Sequence, residues 1–253
     1  MAEVRLEVCV DDLPGLAAAV IGGADRIELC SSLALGGLTP SWGLMKAAAH
    51  AGIPVHAMIR PRAGNFAYSP AEIETMVQDI GAARDSGLQG VVFGVLDQEA
   101  RLHQAHLRQL MTASAGLQVT LHRAFDLLVE PVSDCVAQAI DLGFHRILTS
   151  GRAVQAAQGV DVLCGAIAAA GKRITVMPGA GLHAGMIADF LNEVPAREVH
   201  ASCSGPGPSA HQSQGALAAT IEIAPYRKTD ERLVRNMKSA IATAWRYVLD
   251  PRV

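Results

Sequence analysis

Aromatic residues make up only 4% of the 253 positions, and no block of one charge sign interrupts the chain, with 21 Lys and Arg set against 24 Asp and Glu. The charge balance excludes electrostatic capture of nucleic acid or of an anionic membrane surface. No apolar run approaches the roughly 18 residues of a membrane span. The amino terminus carries Glu3, Arg5 and Glu7 where a secretory signal needs an apolar stretch. A soluble, cytoplasmic protein is therefore expected. No CxxC pair occurs, and Cys9, Cys30, Cys135, Cys164 and Cys203 are odd in number and widely spaced. That pattern fits free thiols in a reducing compartment and argues against a disulfide framework or structural zinc. What the sequence does have is apolar mass, at 50% of positions, and 24 glycines. A sizeable core needs no external staples at this length.

Short β-branched runs alternate with longer alanine-rich, helix-period stretches, the form taken by a parallel sheet with crossover helices. Eight strand candidates begin near Val4, Asp25, Pro54, Gly90, Leu117, His145, Arg173 and Arg197. Their average step of about 28 residues is close to a βα unit. The reading is an α/β chain forming a TIM-type (β/α)8 barrel, a single domain over 1–253, with a doubly wound open sheet as the alternative. Helices are expected near 12–22, 41–51, 70–86, 103–114, 132–142, 153–170 and 184–193. Ser41 and Ser69 stand at N-cap positions, Pro70 follows Ser69, and Gly52, Gly87, Gly143 and Gly171 stand at helix ends. A Ser-, Gly- and Pro-rich stretch at 202–215 predicts a long loop before a final helix near 231–248.

Strands alternate faces with period two, which splits each candidate into two sets. One set is apolar: Leu6 and Val8, Ile27 and Leu29, Val55, Ala57 and Ile59, Val119 and Leu121, Val199 and Ala201. The opposite set, facing the barrel interior, is polar or soft: Glu7, Cys9, Glu28, Cys30, His56, Met58, Arg60, Thr120, His122, Thr175, Met177, Glu198, His200 and Ser202. Burying unpaired charge costs several kcal/mol, so Glu7, Glu28 and Glu198 need partners, for which Arg60 or a protonated histidine is expected. The lining suits either a ligand or metal site or an ion network that fixes strand register.

Glu7-Val8-Cys9 and Glu28-Leu29-Cys30 repeat one pattern on neighbouring strands. At matching heights, Cys9 and Cys30 would approach one ion, and thiolates beside Met58, Met177 or histidine favour Cu(I); both thiols are equally compatible with plain core positions. Arg60 and Arg62 suit a carboxylate or phosphate. His122 and Asp126, with Glu28, supply candidate proton-transfer groups. Thr149 and Ser150, followed by Gly151, and the turn holding Gly179 and Gly181 suit an anion. Together these residues predict one pocket for a small anionic metabolite, read as the active site of a barrel enzyme whose reaction the sequence leaves open. A homo-oligomer is compatible with the sequence.

The chain resembles the CutC-type copper homeostasis proteins. The resemblance rests on Glu7-Val8-Cys9, Gly23-Ala24-Asp25-Arg26-Ile27-Glu28-Leu29-Cys30, Gly36-Gly37-Leu38-Thr39-Pro40-Ser41, Met58-Ile59-Arg60-Pro61-Arg62, His122-Arg123-Ala124-Phe125-Asp126 and Ile147-Leu148-Thr149-Ser150-Gly151. Met177-Pro178-Gly179-Ala180-Gly181 and Glu198-Val199-His200 extend it through roughly residues 1–203. Ala63 replaces the family's glycine, and the composition of 204–215 departs from it. The resemblance implies a TIM-type barrel, a cytoplasmic location and a role in copper binding or tolerance, with Cys9 and Cys30 as the copper ligands.

Overall fold

The apolar set of strand positions, from Leu6 and Val8 round to Val199 and Ala201, lies in one continuous buried core. The computed structural model describes residues 4–207 and 227–249, the side chains of 245–249 excepted. Eight parallel strands form the inner wall: β1 (Arg5–Val10), β2 (Arg26–Leu29), β3 (Val55–Met58), β4 (Gly90–Phe93), β5 (Gln118–Leu121), β6 (Arg146–Thr149), β7 (Thr175–Pro178) and β8 (Glu198–Ala201). Their order is β7-β6-β5-β4-β3-β2-β1-β8, and β7 and β8 lie side by side, so the row comes round into a near-closed TIM-type barrel.

Between successive strands run α1 (Leu13–Gly22), α2 (Trp42–Ala48), α3 (Pro70–Asp85), α4 (Gln104–Ala113), α5 (Val132–Leu142), α6 (Val160–Ala170) and α7 (Ile187–Glu193). Each turns an apolar stripe onto the strands, for example Ile73, Met76 and Ile80 of α3 or Leu107 and Leu110 of α4. Their starts follow local chemistry. The Ser41 side chain accepts from the Leu44 amide, and Ser69 forms a reciprocal capping box with Glu72 ahead of Pro70.

Three helices are shorter than the sequence predicts, α7 among them, since it starts at Ile187 rather than near 184. The α2 helix stops at Ala48, four residues ahead of Gly52. The α6 helix starts at Val160 rather than near 153, because the backbones of Gly151 and Gly159 touch: a Cβ on Gly159 would lie 2.2 Å from the Ser150 carbonyl oxygen. Residues 151–159 thus fold back over the end of β6, with a single 3-10 turn at Ala156–Gln158, instead of entering the α-helix.

The stretch expected as a loop at 202–215 begins differently. Ser204–Pro206 forms a short strand, β9, antiparallel to β10 (Arg227–Thr229); positions 208–215 lie outside the described residues. The final helix, α8 (Glu231–Leu249), packs between α7 and α1 with Val234, Met237 and Ile241 buried. Each such side chain contributes about 1.5–3 kcal/mol of burial. No helix among the described residues is long and apolar enough to cross a membrane.

Candidate metal centre at the barrel mouth

Glu7, Arg26 and His200 stand level on three adjacent strands, since Glu7 pairs in register with Arg26 on β2 and with His200 on β8. The contacts follow from that level. The Arg26 guanidinium binds Glu7 and reaches Glu198 Oε2 at 2.5 Å, and Arg146 Nε donates to the same Glu198 oxygen at 2.6 Å. Of the partners expected for the buried carboxylates, Arg60 is corrected, since Arg26 and Arg146 take its place, while the expected histidine is His200, beside Glu7 and Glu28. Both lie on the inward period of their strands, at 26, 28, 30 and at 146, 148, 150, so extending the alternation one step back from Glu28 would have found Arg26, and applying it to the sixth strand would have found Arg146. Met177 belongs to this layer, its Sδ 3.3 Å from Arg26.

His200 Nδ1 lies 2.9 Å from Glu7 Oε1, and its Nε2 lies 3.8 Å from Glu28 Oε2. Burial works against ionising Glu7, but the Arg26 charge and the His200 hydrogen bond hold its carboxyl well below the usual carboxylate range. Burial would likewise lower the His200 imidazole, yet Glu28, Cys9 and Glu7 raise it well above its ordinary value. Glu28 goes the other way. Burial, with the Glu7 charge adding to it, pushes its carboxyl up to about 7 against the pull of His200. Glu28 Oε1 is buried without a hydrogen-bond partner among the described residues.

One layer up, Cys9 is level with Glu28. The ligand atoms of Cys9, Glu28 and His200 all lie within 4.8 Å of one another. Cys30 stands beyond them, its Sγ 3.7 Å from Glu28 Oε2 and packed with Met58 and Val92; its thiol is raised well above the ordinary value, chiefly by burial. Cys9 and Cys30 are therefore not at matching heights, and His200 takes the place beside Cys9 that Cys30 was expected to fill.

The other candidates separate into distinct clusters. Arg60 donates to the carbonyls of Leu35, Gly37 and Gly64 at 2.9, 3.1 and 2.9 Å, tying two loops together beneath Phe66. His122 packs against Phe66 with the rings tilted by 49° and accepts the Ala124 amide on Nδ1, and burial pushes its imidazole down to about 3. Arg62 faces outward onto Glu72 and Tyr68. Asp126 accepts from the Thr149 and Ser150 hydroxyls and from the amides of Ser150 and Arg152, which pins the 151–159 loop. Gly179 abuts His200, and Gly181 packs on Gln155.

Comparison with known proteins adds the lineage. The CutC family model matches residues 4–205. The chain belongs to the CutC family. A CutC family protein of Sinorhizobium medicae is 46% identical over 241 residues, covering 95% of this chain and 97% of the relative. Another, from Caulobacter vibrioides, is 49% identical over 207 residues, covering 82% and 84%. Among solved structures, the candidate copper homeostasis protein CutC of Streptococcus agalactiae superposes with a TM-score of 0.75 at 31% identity, covering 79% of this chain and 98% of that one. The barrel of this CutC-family chain thus agrees with a relative's experimental fold, while the chemistry of the mouth has to be argued from its residues.

Proposed function

We propose that this protein binds one copper ion as Cu(I) at the barrel mouth and serves copper homeostasis in the cytoplasm. The observation that carries the reading is the arrangement around His200. One ring nitrogen is engaged by Glu7, which leaves the other directed toward Glu28 and Cys9. A metal-binding imidazole ordinarily gives its second nitrogen to a carboxylate in this way, which fixes the tautomer and raises ligand basicity.

The donor set fits a soft ion. Cys9 supplies a thiolate and His200 an imidazole, both suited to Cu(I), and the unpartnered Glu28 oxygen supplies compensating negative charge. Cys30 and Met58, packed together one layer above, extend the soft lining. Cys30 is the further ligand, which must exchange its contact with Glu28 for the metal.

Anaerobic titration with Cu(I) against a chromogenic chelator tests the proposal. One equivalent should bind, with Cys9→Ala and His200→Ala each abolishing the competition. Retention of full stoichiometry and affinity in a Cys9→Ala, Cys30→Ala double variant would refute it.

A further inference from the structure

Beside His200 the barrel mouth opens into a cleft of about 420 Å³ whose lining, among the described residues, includes Arg123, Arg227, His183 and His200 but no carboxylate. The sequence as a whole has more acidic than basic side chains, so two guanidinium groups facing one cleft stand out locally. Charge of one sign in a cleft concentrates ions of the other.

The wall of the cleft between β7 and α7 is a bare stretch of backbone. The Gly179 amide donates to the Thr149 carbonyl at 3.0 Å, and the Ala180 carbonyl accepts from the Ala156 amide at 2.9 Å. Those two bonds fix the turn. The next four amides, of Ala180, Gly181, Leu182 and His183, donate to no acceptor among the described residues. Ala180 and Gly181 are both left-handed, at φ 78° and 79°, a conformation that favours glycine. Gly179 admits no side chain, because a Cβ there would lie 2.6 Å from Leu148 Cδ1 and 3.1 Å from His200 Cβ. The turn is thereby held against the imidazole.

Arg123 faces the same space and is braced from behind. Its Nε donates to Asp126 at 2.8 Å, and its NH2 donates to Ser150 Oγ at 2.9 Å and the Ala153 carbonyl at 3.4 Å, which leaves NH1 without a partner among the described residues. Arg227 binds the Ser204 hydroxyl and carbonyl through Nε and NH2, and its NH1 has no partner among the described residues.

We infer that the 180–183 turn, with Arg123 and Arg227, binds the phosphate group of a small metabolite whose remainder lies over Cys9 and His200. Successive amides and guanidinium groups are the usual cradle for a tetrahedral oxyanion, and a phosphate presents enough acceptor oxygens to meet both at once. Gly179 and Gly181 are the glycines the sequence marks for an anion, but the arginines that accompany them are Arg123 and Arg227 in place of Arg60 and Arg62. This inference does not rest on copper binding.

Amide-resolved NMR of the full chain, titrated with sodium phosphate against sodium chloride at equal ionic strength, tests it. Saturable shifts centred on residues 180–183, with a half-point of about 1 mM, are expected. An Arg227→Gln, His183→Gln double variant changes exposed side chains and should weaken binding about fivefold or more. Cys9→Ala should abolish Cu(I) binding and leave phosphate binding within about twofold, so the two readings fail separately. Crystals grown in phosphate should show the ion on the turn, which decides the matter if the amides are broadened. Shifts no different from chloride, saturable binding elsewhere, or an unaffected double variant would overturn the inference. Acetate binding as tightly as phosphate would replace the phosphate with a carboxylate and overturn the ligand assignment.

Discussion

Cys9 pairs in register with Glu28, so the two Glu-x-Cys segments run two residues out of step across the β1–β2 ladder. The stagger follows from the tilt and shear that close a barrel. It places a carboxylate between the two thiols and gives each a different neighbourhood. Cys9 shares its surroundings with His200, while Cys30 packs with Met58 and Val92. The two cysteines should therefore be unequal in Cu(I) binding. Cys9→Ala is expected to lower affinity at least about 100-fold and Cys30→Ala about tenfold or less, read by chelator competition. Equal losses would show that both thiols hold the ion symmetrically.

Glu7 touches the proposed ion only through His200, so its effect on the metal is indirect. Glu7→Gln should reduce Cu(I) affinity roughly 10–100-fold while stoichiometry stays at one, as expected when a second-layer carboxylate is lost. Chelator competition gives the affinity, and a urea melt of the apo-protein separates that loss from destabilisation. An unchanged affinity would detach Glu7 from the metal site.

Arg26 neutralises two buried carboxylates, Glu7 and Glu198, whereas Arg146 shares only Glu198. Removing one partner of a buried pair costs about 3–5 kcal/mol, because a charge is left unpaired. Arg26→Met should fall at or above that range in urea denaturation, and Arg146→Met below it, since Arg26 still binds Glu198 there. The reverse ranking would mean that the register at Glu7 and Arg26 is not what holds the network together.

The barrel and its apolar outer face were legible in the sequence because both rest on periodicity, which a closed parallel sheet obeys strand by strand. The polar lining was legible for the same reason. What sequence could not supply was the height of each side chain relative to its neighbour. Interstrand register decides that Cys9 meets Glu28 and His200, and that Arg26 reaches Glu7. The motif-rich loops misled in another way. Arg60 and Asp126 carry the chemistry of a binding site, yet their hydrogen bonds go to loop carbonyls, hydroxyls and amides. Local composition does not distinguish a side chain that binds a ligand from one that binds the chain itself.

His122 is neutral in the fold, its imidazole pushed down to about 3 by burial and by the nearby Arg60 charge. The unfolded chain binds a proton at this residue near pH 6.5. Between those values the unfolded state carries more protons, so stability is full above about pH 6.5 and declines as pH falls toward 3, by up to about 1.4 kcal/mol per pH unit for this group. His56, also lowered to about 3 by burial, adds to the same limb. His122→Asn keeps an acceptor for the Ala124 amide and removes the titration. Chemical denaturation from pH 7 to 4 should show the slope reduced by about one proton. An unchanged slope would mean that His122 is protonated, or exposed, in the native state.

Gly22 sets how closely the final helix can dock. A Cβ at this position would lie 2.5 Å from Val234 Cβ and 2.9 Å from the Glu231 carbonyl oxygen. Alanine is intrinsically better than glycine in a helix by about 1 kcal/mol. Here the contact should win, because overpacking costs about 1–3 kcal/mol and one of the clashing atoms belongs to the backbone, which yields only if α8 moves. Gly22→Ala should therefore destabilise the protein, and pairing it with Val234→Gly, which removes the Cβ that the new methyl meets, should recover about 1 kcal/mol relative to the sum of the single changes. Urea denaturation of the four proteins in this cycle measures both quantities. A stabilising Gly22→Ala, with no coupling to position 234, would show that α8 does not sit on α1 in solution.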